Sequence, residues 1–157
     1  MIQRFIELGQ GYSDIYELIE VGRNQQHRVA RMLAMHTTLD DKKVTSLVIV
    51  MQPTDPGKFQ PLYICREGIP NPHFTANKRY QLFEDLAKEL DRPIIEIDVK
   101  SSKLFAEIEL YYQHLIGILR MNRYLPPLGW RESSRRRHLA SDLSHHRTYR
   151  SVYGGSV

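Results

Sequence analysis

Hydrophobic and polar positions alternate along this chain with two different periods, and each period predicts one kind of element. The segment VTSLVIVMQ, residues 44–52, is β-branched and almost continuously apolar, which is typical of a central strand buried on both faces. The segment IIEIDV, residues 94–99, alternates instead, so it presents one apolar face and one partly charged face. Apolar residues at helical spacing follow Asp14 and Asn77 and run along residues 104–118.

The patterns predict the succession β-α-β-β-β-α-β-α, followed by a tail. Further strands are predicted at residues 1–8, 29–38 and 59–67, and turns rich in Pro, Asp and Gly separate the middle three strands, so we expect an antiparallel meander. The second helix is a crossover that brings strand 94–99 parallel to a neighbour. We therefore predict an α/β (α+β) fold with a single mixed sheet of four to five strands, on which the helices pack.

Three helix starts are predicted from side chains that accept hydrogen bonds from exposed backbone amides. The candidate caps are Asp14 in a D-x-x-E capping box, Thr75 or Asn77, and Ser101 or Ser102. The third helix is therefore expected to begin directly after the serines, with Leu104 as the first residue of its apolar stripe.

The composition of the 157 residues changes near residue 130. Residues 131–157 contain six arginines and two acidic residues, so they carry the whole net charge of +4, and they have few aliphatic side chains to bury. We predict a single α/β domain over residues 1–130 and a flexible, basic C-terminal tail over residues 131–157. The electrically balanced domain argues against a broad nucleic-acid-binding face on it.

The chain shows no signal for a membrane or for an oxidising compartment. Its longest apolar run, LVIVM at residues 47–51, is far too short to cross a bilayer, and Arg4 and Glu7 interrupt the N-terminal apolar stretch. Cys65 is the only cysteine, so no intramolecular disulfide can form. We therefore expect a cytoplasmic protein without membrane contact.

The segment PLYICREGIPNP raises the question whether Cys65 is a nucleophile. A phosphatase loop would require an arginine six positions later, where the chain has Asn71. We predict that Cys65 is a small strand residue without chemistry. Strand alternation places Arg66 and Glu67 on opposite faces, so they do not pair with each other. We expect them to form salt bridges elsewhere, and the alternative is that they line a pocket.

The segment EIDVK carries the most chemistry. Alternation projects Glu96, Asp98 and Lys100 from one strand face, where two carboxylates could hold Mg²⁺ or Mn²⁺ and the lysine could stabilise a phosphorane. This resembles the element of restriction-endonuclease-like enzymes, in which, however, the motif precedes the second helix. The preferred interpretation is a solvated polar face on an edge strand, and a metal-dependent phosphodiesterase or nuclease is the alternative.

Other motifs give no support for a cofactor or for a metal site. The four histidines before residue 130 are scattered one to a segment, at His27, His36, His73 and His114, without the spacing of a zinc motif. The G-x-G at residues 9–11 lacks the third glycine of a dinucleotide fingerprint. We therefore predict no cofactor and no metal.

In the predicted tail, arginines are interspersed with tyrosines and histidines. Arginine side chains can bind phosphates, and aromatic side chains can stack on bases. A nucleic-acid-associated protein is therefore a further alternative. The arginines that would make the contacts are Arg135, Arg136, Arg137, Arg147 and Arg150.

Three long stretches, MIQRFIELGQGYSDIYELIE, QPTDPGKFQPLYICREGIPNP and FAEIELYYQHLIGILRMNRYLPPL, resemble an uncharacterised domain-of-unknown-function family of Bacillus and its relatives. Some members of that family carry an automatic label of methylthioribose kinase. The residues here do not support it, because the chain is too short for two lobes and has no H-x-D element. The resemblance implies no particular activity, and we expect a small binding or regulatory domain, without catalysis, for an unknown protein or small-molecule partner.

Overall fold

The computed structural model describes residues 2–9 and 13–126. The predicted tail at residues 131–157 lies outside the described residues, as does most of the turn at residues 9–11. Within the described part, five strands and three α-helices follow one another in the predicted order. They are β1 (Gln3–Glu7), α1 (Ser13–Asn24), β2 (Val29–Leu39), β3 (Lys42–Met51), β4 (Gln60–Pro70), α2 (Lys78–Glu89), β5 (Ile94–Asp98) and α3 (Ile108–Met121).

The strands form one mixed sheet in the order β1-β4-β3-β2-β5. The predicted meander is confirmed, because β3 pairs antiparallel with both β2 and β4. The crossover through α2 makes β5 parallel to β2, and β1 is parallel to β4. Every strand except β3 therefore points the same way, so β2, β4 and β5 have their carboxyl ends at the same end of the sheet. As predicted, β3 is the central strand and β5 lies at an edge.

Both faces of the sheet are buried, which explains the nearly continuous apolar sequence of β3. Leu47, Ile49 and Met51 pack in a cluster with α1 and α2, whereas Val48 and Val50 face α3. All five side chains are fully buried. Burial of each such side chain contributes about 1.5–3 kcal/mol, so the two clusters are the main source of stability.

The first two helices begin close to the predicted positions. Asn77 caps α2 by accepting a hydrogen bond from the backbone N–H of Arg79 at 2.8 Å, as the sequence predicts. The predicted capping box of α1 is wrong, because Asp14 lies inside the first turn of the helix. Its intended partner Glu17 instead accepts a hydrogen bond from the backbone N–H of Gly9 at 3.1 Å.

The third helix begins later than predicted. Ser101 caps only a short 3₁₀ helix, Ser102–Leu104, and α3 starts at Ile108 after an extended residue. Leu104 is 72% exposed and does not belong to the buried stripe. The α3 side chains that pack on the sheet are Tyr111, Leu115 and Leu119. The sequence pattern therefore merged the 3₁₀ helix with α3, because Leu104 lies at helical spacing from Ile108.

None of the helices in the described part of the chain combines the length and the apolar composition that crossing a membrane would require.

Two glycines in helix interiors should respond oppositely to substitution by alanine. A Cβ at Gly117 in α3 would meet no atom of the described residues within 4 Å, so Gly117→Ala should raise the free energy of unfolding by up to about 1 kcal/mol through helix propensity. A Cβ at Gly22 in α1 would lie 2.7 Å from Leu86 Cδ2 and 3.0 Å from Ile49 Cδ1. Gly22→Ala should therefore gain nothing or lose stability, since two core side chains must move.

Urea denaturation of both variants measures this difference. Equal stabilisation by the two substitutions would contradict the close packing of α1 against α2 and β3.

Candidate functional site

A cleft of about 760 Å³ opens at the end of the sheet where β2, β4 and β5 have their carboxyl ends. Its walls come from the end of β2, the start of β3, the loop after β4, and β5 with the residue that follows it. They consist of His36, Thr37, Thr38, Lys43, Asn71, His73, Phe74, Glu96, Ile97, Asp98 and Val99.

The cleft begins where the apolar face of β2 ends. Met32 and Ala34 contribute to the core beneath α1 and α2, and His36 follows them in the alternation of the strand. Its side chain is only 9% exposed. The ring Nδ1 lies 2.9 Å from Oγ1 of Thr45, the residue that faces it across the β2–β3 ladder. The ring Nε2 is buried and has no hydrogen-bond partner among the described residues.

Glu96 on β5 contacts three polar side chains at the cleft. Its Oε2 lies 2.7 Å from His73 Nε2 and 3.6 Å from His36 Nε2. Its Oε1 accepts a hydrogen bond of 3.2 Å from the hydroxyl group of Tyr80, a buried residue of α2. The parallel pairing of β5 with β2 brings this carboxylate beside His36, although the two residues are far apart in the sequence.

These contacts favour the charged form of Glu96. Burial by itself would raise the pKa of its carboxyl group, but the hydrogen bond and the charge of His73 lower it, with further lowering from Tyr80 and His36. The net result is a pKa below the usual value. Conversely, burial first and then the Glu96 charge raise the pKa of Tyr80, so its hydroxyl group stays protonated and donates.

Asn71 fixes the position of His73. Its buried side chain accepts a hydrogen bond of 2.9 Å from the backbone N–H of His73, which is an Asx turn. Its backbone N–H donates to the carbonyl of Lys43, and its own carbonyl accepts from the two residues after His73, so the loop is tied to β3. As a result, the rings of His73 and His36 lie 5.4 Å apart in an edge-on arrangement.

The predicted polar face of EIDVK is only partly present. Glu96 and Asp98 both line the cleft, but Lys100 is not among the lining residues. Burial, and then the charge of Lys100, lower the pKa of His114 on α3. β5 ends at Asp98, so Lys100 lies beyond the strand alternation on which the prediction of three aligned side chains rests.

Arg66 and Glu67 are not among the residues that line this cleft. The guanidinium group of Arg66 pairs with Glu7 at 2.5 Å and lies 5.3 Å from the ring centroid of Tyr111. Glu67 accepts hydrogen bonds from the backbone N–H and the hydroxyl group of Ser102, at 2.8 and 3.0 Å. Both side chains thus have a contact that fixes their position.

Glu67 also departs from the predicted alternation. Its carboxylate contacts Ser102 in the segment that leads into α3, and burial, followed by the Glu67 charge, raises the pKa of Tyr111 on α3. The Arg66 guanidinium group lies over the same Tyr111 ring, so both side chains lie towards α3. The prediction that the two side chains project to opposite faces is therefore wrong. The reason is a left-handed residue at Glu67, with φ of 39°, next to a register shift in the β3–β4 ladder.

Cys65 is buried on the face of the sheet that α1 and α2 cover. Its Sγ donates to the carbonyl oxygen of Asp14 at 2.9 Å. Burial, together with the charges of Asp14 and Glu17, raises the pKa of the thiol to about 12. A nucleophile needs the opposite environment, so the structure supports the prediction that this residue has no chemistry.

The histidines are the functional candidates that sequence reasoning missed. The nitrogen and oxygen donors of His36, His73 and Glu96 lie within 4.8 Å of one another, an arrangement able to hold a metal ion. The sequence offered two weak signals. A histidine continues the apolar face of β2, and an N-P-H turn follows β4.

The fold and the cleft together define a small α+β domain with one mixed sheet between two helical layers and a polar cleft at one end. The chain belongs to the family described as "Domain of unknown function (DUF7147)", whose profile matches residues 1–125. Searches of curated proteins and of solved structures found no match.

Removing the Asx turn should loosen the loop that carries His73. We expect Asn71→Ala to lower the free energy of unfolding by about 1–2 kcal/mol, because it deletes a side-chain hydrogen bond of a residue that is only 5% exposed. Asn122→Ala is a matched control, since its amide donates to the carbonyl of Ile118 at the exposed end of α3. Its effect should stay within about 0.5 kcal/mol. Chemical denaturation measures both variants, and equal effects would contradict the anchoring role of Asn71.

The thiol of Cys65 should react slowly in the native protein. With a pKa of about 12, roughly one chain in 10⁴ or fewer carries the thiolate at pH 7.5. Alkylation by iodoacetamide, followed by mass spectrometry, should therefore be slow without denaturant and fast in about 8 M urea at the same pH. Fast, stoichiometric labelling of the native chain would show that the thiolate is accessible.

Proposed function

We propose that this protein is a small cytoplasmic binding domain that holds a polar small molecule in the cleft and acts by binding rather than by catalysis. One observation carries the proposal, namely a cleft of about 760 Å³ in which the buried His36 Nε2 lacks a hydrogen-bond partner among the described residues. Clefts of roughly 300–1,000 Å³ with a few convergent polar groups are the usual sites for small molecules.

The chemistry of the walls indicates the kind of ligand. Lys43 and the two histidines offer donors or positive charge, whereas Glu96 and Asp98 offer acceptors. Phe74 lies at the same cleft with 73% of its surface exposed, so it can cover an apolar or aromatic part of a ligand. A metabolite that combines a charged group with a flat apolar portion fits this set of side chains best.

Two other activities have less support. A nuclease that uses Glu96, Asp98 and Lys100 with Mg²⁺ or Mn²⁺ would find two of its three side chains at the cleft, whereas Lys100 is not among the residues that line it. Nucleic-acid binding through Arg135–Arg137, Arg147 and Arg150 concerns residues outside the described part of the chain and remains a prediction.

A ligand screen with a cleft variant tests the proposal. Ligand-observed NMR with a metabolite library should give at least one binder, and Phe74→Ala should weaken its affinity about tenfold or more. Tyr16→Ala is the matched control, because Tyr16 is an aromatic residue of α1 that is 57% exposed and does not line this cleft. Binding that survives Phe74→Ala, or that is lost equally in both variants, would contradict a ligand site in the cleft.

A further inference from the structure

We propose that His36, His73 and Glu96 form a binding site for one divalent transition-metal ion, with Zn²⁺ as the best fit. The ligand atoms would be Nε2 of each histidine and a carboxylate oxygen of Glu96. This goes beyond the proposed function and does not depend on it, because the three side chains can bind an ion whether or not a small molecule occupies the cleft.

The spacing of the donor atoms fits a tetrahedral ion. Zinc–nitrogen and zinc–oxygen bonds of about 2.0–2.1 Å place two ligand atoms of a tetrahedral site about 3.3 Å apart. Glu96 Oε2 lies 2.7 Å from one histidine nitrogen and 3.6 Å from the other, values on either side of this spacing. All three donors fall within 4.8 Å of one another. Side-chain shifts on the order of 1 Å would bring the three donors to this spacing.

The buried nitrogen of His36 is the independent sign of a ligand. Its side chain is nine-tenths buried, and Nε2 faces the cluster without a hydrogen-bond partner among the described residues. A buried nitrogen without a partner costs free energy because it loses its hydrogen bonds to water. Several such atoms occur among the described residues, and His36 Nε2 is the one that belongs to this cluster. A metal ion would satisfy this atom directly. In that state Nδ1 carries the proton and donates a hydrogen bond to Thr45 Oγ1, which lies 2.9 Å away.

The other two ligands also have groups that orient them. Tyr80 donates to Glu96 Oε1, so the second carboxylate oxygen remains directed towards the histidines. The Asx turn of Asn71 fixes the backbone at His73. Such outer contacts fix the orientation of metal ligands and are characteristic of real sites.

The donor set determines the kind of ion. Imidazole nitrogen suits zinc and its transition-metal neighbours, whereas Mg²⁺ and Ca²⁺ prefer oxygen ligands alone. Three protein ligands leave a fourth position for water or another ligand. Here that position would face the cleft, since the side chains of Glu96 and His73 are 40% and 57% exposed.

Zinc titration of the metal-free full-length chain against a chromophoric chelator tests the site. We expect one ion per chain, and Co²⁺ should give the intense visible absorption of a tetrahedral centre. His73→Ala and Glu96→Gln should each weaken zinc binding by roughly 100-fold or more, and Thr45→Val by roughly 10- to 100-fold. Circular dichroism checks that each variant is folded, and His73 and Glu96 are exposed enough that their substitution should leave the fold intact.

Two controls separate this site from other metal binding. The variant with His138→Ala, His145→Ala and His146→Ala removes the histidines after residue 130, and His27→Ala removes an exposed histidine, so both should keep full zinc affinity. Asp98→Asn should also keep it, although Asp98 lines the same cleft.

Several results would overturn the proposal. They are the absence of zinc binding at micromolar free zinc, unchanged affinity in His73→Ala and Glu96→Gln, and loss of binding in the triple histidine variant. Stabilisation by Mg²⁺ or Mn²⁺ but not Zn²⁺, abolished by Asp98→Asn, would instead indicate a carboxylate site of the nuclease type. If the unsubstituted chain binds a small molecule in the cleft but no zinc, the metal site alone is rejected. If it binds zinc at these residues but no small molecule, only the proposed function is rejected.

Discussion

Burial of the central strands on both faces is the constraint on which the rest of the structure depends. Because α1 and α2 cover one face of the sheet and α3 covers the other, a polar side chain in β2 or β3 can reach solvent only near the end of its strand. His36 occupies this position on β2, directly beyond the apolar run that fills the core. The paired Thr45 on β3 supplies its hydrogen-bond partner, so the boundary between core and cleft is set by one cross-strand pair.

The topology then gathers the remaining groups at this boundary. The α2 crossover returns the chain so that β5 lies parallel to β2, which brings Glu96 beside His36. His73 lies at the same end of the sheet, because it is in the loop after β4, and β4 runs in the same direction as β2 and β5. α2 itself contributes Tyr80, whose ring packs in the core while its hydroxyl group reaches the carboxylate. The cleft is thus built from separate segments held by the same sheet.

The polar atoms of the cleft differ in whether they have hydrogen-bond partners. The charged form of Glu96 is stabilised by hydrogen bonds with His73 and Tyr80, so a carboxylate persists at the cleft. The buried His36 nitrogen, by contrast, has no hydrogen-bond partner among the described residues, and a ligand in the cleft would supply one. Membership in a family of unknown function supplies no activity, so the proposed binding role rests on these contacts.

Local periodicity in the sequence determined the order of the elements, the central place of β3 and the edge position of β5, because alternation and helical spacing directly reflect which faces are buried. It failed where one residue changed the backbone, as at Glu67, whose left-handed conformation moved its side chain to the other face. It does not extend to Lys100, which lies beyond the end of β5. The cluster of His36, His73 and Glu96 was decided by the tertiary structure alone, since strand pairing joins residues that no spacing in the sequence relates.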